Sequence, residues 1–110
     1  MKLPLDIRFL DIAHSDALEA TVRSRVAHIE RLCPDVIAWR VTIAQEHKHQ
    51  NQGRPFTVRV DVTIPGQELA INRTHAEDVY VAVRDAFDAA HRKLEDTIRT
   101  RRDQQRSRAE

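Results

Sequence analysis

The sequence predicts an α+β domain in which a four-stranded sheet carries two helices on one face, and three observations predict it. Apolar and polar residues alternate in four separate stretches, the period of a half-buried strand. Two longer stretches repeat apolar residues every three or four positions, the period of a helix that buries one stripe. The stretches run in the order β-α-β-β-β-α, and the simplest packing of one-sided strands with one-sided helices lays both helices on the single apolar face of the sheet.

In the first strand Leu5, Ile7 and Phe9 alternate with Asp6 and Arg8. Ser15 is placed to cap the first helix, with Asp16 and Glu19 in the turn that follows, where carboxylates complement the exposed N–H groups. Leu18, Val22, Val26, Ile29 and Cys33 form its apolar stripe, and Pro34 should stop it because a residue before proline is pushed out of helical geometry. The second strand alternates Ile37, Trp39, Val41 and Ile43 with Ala38, Arg40, Thr42 and Ala44. After the polar stretch HKHQNQGRP, whose Gly53 marks an exposed loop, the third strand places Phe56, Val58, Val60, Val62 and Ile64 on one side. Pro65-Gly66 suits the central positions of a type II turn, so a hairpin into Leu69, Ile71 and Arg73 follows. Thr74 and Glu77 have the spacing of a capping box ahead of a second helix, whose stripe is Val79, Val83, Ala86, Phe87, Ala90, Leu94 and Ile98. Helix formers continue through RTRRDQQRSRAE after the stripe ends. The last turns should therefore project past the core, with residues 104–110 as a fraying tail.

Composition narrows the function. With 110 residues, of which 41% are hydrophobic and 32% charged, the chain is read as one folded domain over residues 1–110. Eighteen basic against 17 acidic residues give a net charge of +1, so no strong overall field draws the protein to a polyanion, and any such argument must rest on placement. Only Lys2, Lys48 and Lys93 are lysines; the other cations are arginines, whose planar fork suits phosphate and stacked bases. Pro4 and Asp6 interrupt the N-terminus where a signal peptide needs an apolar core, and no apolar run reaches membrane-spanning length, so a cytoplasmic protein with no membrane partner is expected, and a monomer. Cys33 is the only cysteine, and its place at a helix end reads as packing.

No nucleophile elbow, zinc-protease motif, phosphate-binding loop or dinucleotide fingerprint is present, so no enzyme activity, cofactor or small-molecule substrate is expected. Of the histidines only His47 and His49 are clustered. Two imidazoles without a third ligand make a poor metal site, and none is assigned. Asp78 beside His75 resembles an acid–base pair, but an acid in the first turn of a helix ordinarily complements backbone N–H groups.

Nucleic acid is the remaining class. The predicted outer sheet face carries Arg40, Thr42, Thr57, Arg59, Asp61 and Thr63 rather than aromatic stacking platforms, which argues against base recognition there. On the long helix Arg92, Arg99 and Arg106 recur at a spacing of seven residues, about 10 Å per step, nearly opposite the apolar stripe, with Arg84 and Arg102 at their flanks. Such a row can follow a phosphate backbone without reading bases. The first helix adds Arg23 and Arg31 on its outer side, with Arg25 and His28 beside them, so two adjacent helices could form one continuous patch. A solvated face explains the same charges, since Glu95 and Arg99 have ion-pair spacing and bases late in a helix satisfy its dipole.

Glu77-Asp78-Val79-Tyr80 with Ala82 and Val83, continuing as RDAFDAAHRKLED, resembles the start of the second helix in the ribosome hibernation-promoting factors, also called ribosome-associated inhibitor A or sigma-54 modulation proteins. Ala17-Leu18, Val22, Arg25, the HIERL stretch from His28 and the Pro-Gly turn before Glu68-Leu69 extend the resemblance over nearly the whole chain. It implies the same fold and a stress-response translation inhibitor that binds ribosomal RNA of the small ribosomal subunit, in the channel for messenger and transfer RNA, and acts by steric occupation. The positions matching the family's RNA-facing side chains are Arg25, Arg31 and Arg92, with His28 where a lysine is usual; helical geometry adds Arg23, Arg84, Lys93, Arg99 and Arg102. Ala89 and Asp96 stand where family members often carry lysine. The alternative is a protein–protein interaction module that keeps the fold without binding ribosomes.

Overall fold

Strand alternation and helical stripes meet in one core. The computed structural model describes residues 3–46, 55–75 and 77–109. Its elements are β1 (Asp6–Leu10), α1 (Asp16–Leu32), β2 (Ala38–Gln45), β3 (Phe56–Ile64), β4 (Gln67–His75) and α2 (Val79–Ala109). The sheet order is β1-β2-β3-β4. β1 pairs parallel with β2, as a strand returning through a helical crossover does, while β2–β3 and β3–β4 are antiparallel. This is the α+β fold that the sequence predicts.

Register decides which residues are inside. Ile7 lies opposite Val41, Val41 opposite Val60, and Val60 opposite Ile71, so one row of apolar side chains crosses all the strands on a single face. Trp39, Val41, Ile43, Val58, Val60, Val62, Leu69 and Ile71 are buried there in one cluster with Val22, Val26 and Ile29 of α1 and Val83, Phe87 and Leu94 of α2. The Trp39 and Phe87 rings meet at 6.0 Å between centroids. Gly66 has φ 79°, the positive value that position i+2 of a type II turn requires, and it closes the β3–β4 hairpin.

Helix ends follow local chemistry. Ser15 Oγ accepts from the Leu18 N–H at 3.2 Å, and α1 ends at Cys33, whose N–H donates to Ile29 O before Pro34. The start of α2 departs from the predicted capping box. Thr74 stays in β4 opposite Thr57, with the two hydroxyls 3.2 Å apart, and Asp78 is the cap, its Oδ1 accepting from Tyr80 N–H at 2.8 Å. His75 Nδ1 accepts from the N–H groups of Glu77 and Asp78 at 3.2 and 3.1 Å. An imidazole thus does the work assigned to a threonine, and strand pairing keeps Thr74 out of reach. The pair His75 and Asp78 serves the helix start.

α2 continues to Ala109, about 46 Å of helix for 31 residues, and its last buried residue is Leu94. Ile98 still packs against the core and Arg101 reaches the hairpin turn, while the turns beyond project past them, and the molecule has a long dimension of 59 Å. No helix among the described residues is long and apolar enough to cross a membrane.

Candidate nucleic-acid interface

The two faces of the sheet differ in what they leave for a ligand. On the outer face, Asp6 Oδ2 accepts from Arg8 Nε at 3.2 Å and Arg40 Nε at 3.3 Å. Arg59 Nε reaches both oxygens of Asp61 at 3.0 and 3.1 Å. That hydrogen bonding, followed by the charge of the Asp61 carboxylate, raises the Arg59 pKa, so the guanidinium stays charged and engaged. Asp61 is only 7% exposed despite its outward position, because Arg59 folds over it. These pairs engage the guanidiniums of Arg8, Arg40 and Arg59 with carboxylates on the outer face, leaving the exposed sides of the helices.

There the predicted cations fall into distinct groups. Along the seam between the helices, Arg25 Nη1 lies 3.9 Å from Asp88 Oδ1, and the His28 and His91 rings meet edge to face at 6.2 Å. His91 Nε2 is 3.5 Å from Glu95 Oε1. Acidic residues therefore interleave with the bases that the sequence places there. On the outer side of α1, Arg23 lies 3.8 Å from Glu19, while Arg31, in the last turn, has no ion pair among the described residues. On α2, Arg84 contacts Asp85 at 3.3 Å, and Arg99 Nη2 donates to Asp96 at 2.8 Å. The spacing pair of Glu95 with Arg99 is not formed; Glu95 turns to His91 and Arg99 takes Asp96 instead.

Arg92, Lys93 and Arg102 have no ion pair among the described residues. Arg92 and Lys93 line an open groove of about 330 Å³ between α2 and β4, with Ala70, Ile71, Asn72, Arg73, Ala89 and Asp96. Both Ala89 and Asp96, where lysine is frequent in the resembled family, are in this groove. Lys93 Nζ donates to Ala70 O at 3.5 Å. Arg102 lies at the other flank, beside Cys33, Asp35 and Arg101, in a cleft near the end of α1. Arg101 itself donates to Gln67 Oε1 at 3.0 Å, tying α2 to the hairpin turn. Cys33 is buried, and burial, then the Glu95 carboxylate, raise its pKa, so it is a packed neutral thiol.

Sequence reasoning missed Arg73 and Arg101. Arg73 carried a signal: it follows Leu69 and Ile71 in the inward period of β4, which puts it on the helical side of the sheet. His47 and His49 lie outside the described residues. A further acidic and imidazole group, His14, Asp16 and Glu19, sits where β1 leads into α1, and its Glu19 is the carboxylate near Arg23.

A mixed four-stranded sheet with two helices on one face defines a class of small α+β domain, and this chain is similar in fold to solved structures of that class. Such are a ribosomal subunit interface protein from Coxiella burnetii, with a TM-score of 0.71, 13% identity and coverage of 84% of this chain and 94% of that one, and the N-terminal domain of Thermus thermophilus Protein Y, with a TM-score of 0.67, 17% identity and coverage of 86% and 99%. The chain belongs to the sigma-54 modulation protein and S30EA ribosomal protein family, whose model matches residues 5–102. No curated protein gives a significant match.

Proposed function

We propose that this protein is a non-enzymatic, cytoplasmic ribosome hibernation factor whose one domain binds ribosomal RNA of the small subunit and silences translation by occupying the messenger and transfer RNA channel. Family membership over residues 5–102 supports the ribosome as partner. The observation that carries the RNA reading is that four of the predicted contacts, Arg31, Arg92, Lys93 and Arg102, are exposed on the helical side without a carboxylate partner among the described residues. Arginine can fork two hydrogen bonds onto a phosphate, and a helix holds such groups at fixed spacing. Arg23, Arg25, Arg84 and Arg99 join them as contacts whose own carboxylates must give way to phosphate, and His28 contributes from the seam.

Steric occupation needs no chemistry from the protein; phosphate contacts supply affinity and shape supplies placement. Co-sedimentation with purified small subunits at two salt concentrations tests this, with binding expected to fall steeply as salt rises. Arg92→Glu with Arg99→Glu should abolish pelleting while leaving the Tm nearly unchanged, because exposed charges contribute little to folding. Failure of the unaltered protein to pellet even at low salt would favour the protein-interaction module.

A further inference from the structure

Among the described residues, the groove between β4 and α2 combines cations from two kinds of element. Arg73 comes from the strand, Arg92 and Lys93 come from the helix, and all three are exposed. Asp96, the acid on its rim, is already bonded to Arg99 at 2.8 Å. The floor is made of Ala70, Ile71 and Ala89, small or buried side chains that leave room for a chain to lie between strand and helix.

β4 is an edge strand, and its free edge is normally where another strand would pair. Here cations cover its acceptors. Lys93 Nζ donates to the Ala70 carbonyl at 3.5 Å, and Arg73 Nη1 donates to the Asn72 carbonyl at 2.7 Å. In an antiparallel ladder the N–H and C=O of one residue point to the same side, so the N–H groups of Ala70 and Asn72 face the open edge with those carbonyls. An incoming peptide strand would need the acceptors that the cations occupy. A phosphodiester needs only donors and positive charge, and both are present.

We infer that the β4–α2 groove is an RNA phosphate-binding site in which Arg73 is a strand-borne contact that completes the helical pair Arg92 and Lys93. This deepens the proposed ribosomal RNA binding and rests on it for the source of the RNA. The phosphates bridge from Arg73 across the groove to Arg92, and the backbone N–H groups of the edge supply further donors.

The test uses the whole protein and a fluorescein-labelled single-stranded RNA oligonucleotide, read by anisotropy at low salt, alongside pelleting with purified small subunits. Arg73→Glu should weaken oligonucleotide binding at least about tenfold and Arg73→Gln by a smaller factor in the same direction. Arg8→Glu, the same charge change on the outer sheet face, should stay within about twofold, since screening confines its influence to about 10 Å. A Tm near that of the unaltered protein checks that each variant is folded. Equal losses in Arg73→Glu and Arg8→Glu, no loss in Arg73→Glu, or no oligonucleotide binding by the unaltered protein each overturns the groove. So does displacement of the RNA by polyglutamate at equal charge concentration, which would mark a site for acidic chains. If Arg73→Glu loses the oligonucleotide but the unaltered protein never pellets with small subunits, the groove stands and the ribosomal reading falls. If subunit pelleting survives while Arg73→Glu keeps its oligonucleotide affinity, the reverse holds.

Discussion

The two flanks of α2 differ in what stands beside their basic side chains, and they end with different electrostatics. Toward α1, Asp88 and Glu95 stand among Arg25, His28 and His91, and each base finds an acid within 4 Å or another ring. Toward β4, Arg92 and Lys93 meet a strand edge whose contributions are a third cation and backbone carbonyls. A helix facing a helix meets side chains, and carboxylates are available to pair. A helix facing a strand edge meets mostly backbone, which satisfies an ammonium without cancelling its charge. Free positive charge is therefore a property of what lies beside the residue as much as of the residue itself.

The largest expected effect removes the comparison altogether by loosening what holds α2 in place. Phe87 is 1% exposed and packs on Trp39 of the sheet. Phe87→Ala should destabilise the fold by about 3–5 kcal/mol through lost burial and the cavity left behind. Urea denaturation measures this, and a cost below about 1 kcal/mol would mean that α2 is anchored elsewhere.

Next comes the contrast between flanks. Arg92→Glu with Lys93→Glu should weaken pelleting with small subunits far more than Arg23→Glu with Arg25→Glu, whose guanidiniums already sit near Glu19 and Asp88. Losing two phosphate contacts should also reduce the slope of log affinity against log salt by about 1.4 for single-stranded RNA. Equal effects from the two pairs would erase the distinction between the flanks.

A smaller effect concerns the junction where β4 hands the chain to α2. Asp78→Ala should cost about 1 kcal/mol of stability by removing the acceptor for Tyr80 N–H, and Thr74→Ala clearly less, because Thr74 caps nothing. Thermal melts of the two variants decide it.

That junction also marks where the sequence stopped being legible. Alternation in β2 and β3 and the stripe of α1 identify their elements because burial on one face is a local, periodic demand. Thr74 and Glu77 satisfy a local rule too, but β3 pairs Thr74 into the sheet through Thr57, a partner 17 positions away that no local pattern announces. The candidate site has the same limit. Positions on the wheel place Arg25 and Arg92 on exposed faces, yet whether Asp88 or Ala70 stands opposite depends on which element packs alongside.

The smallest predicted effect probes the acidic flank through Cys33. Burial comes first and the Glu95 carboxylate second in raising its pKa above the ordinary 9.0. Both favour the neutral thiol, so the thiolate forms only at higher pH than in an unfolded chain. The midpoint of the pH–rate profile for iodoacetamide alkylation should therefore lie above 9.0 in the native protein. Glu95→Gln removes the weaker cause, and the midpoint should move down while remaining above the ordinary value, because the burial is untouched. On the β4 flank the matching change, Asp96→Asn, should leave the midpoint where it was, since Asp96 is engaged with Arg99 on the other side of the helix. A midpoint that ignores Glu95→Gln would show that the seam holds less negative charge beside Cys33 than its carboxylates imply, and the contrast between the flanks would then rest on the β4 groove alone.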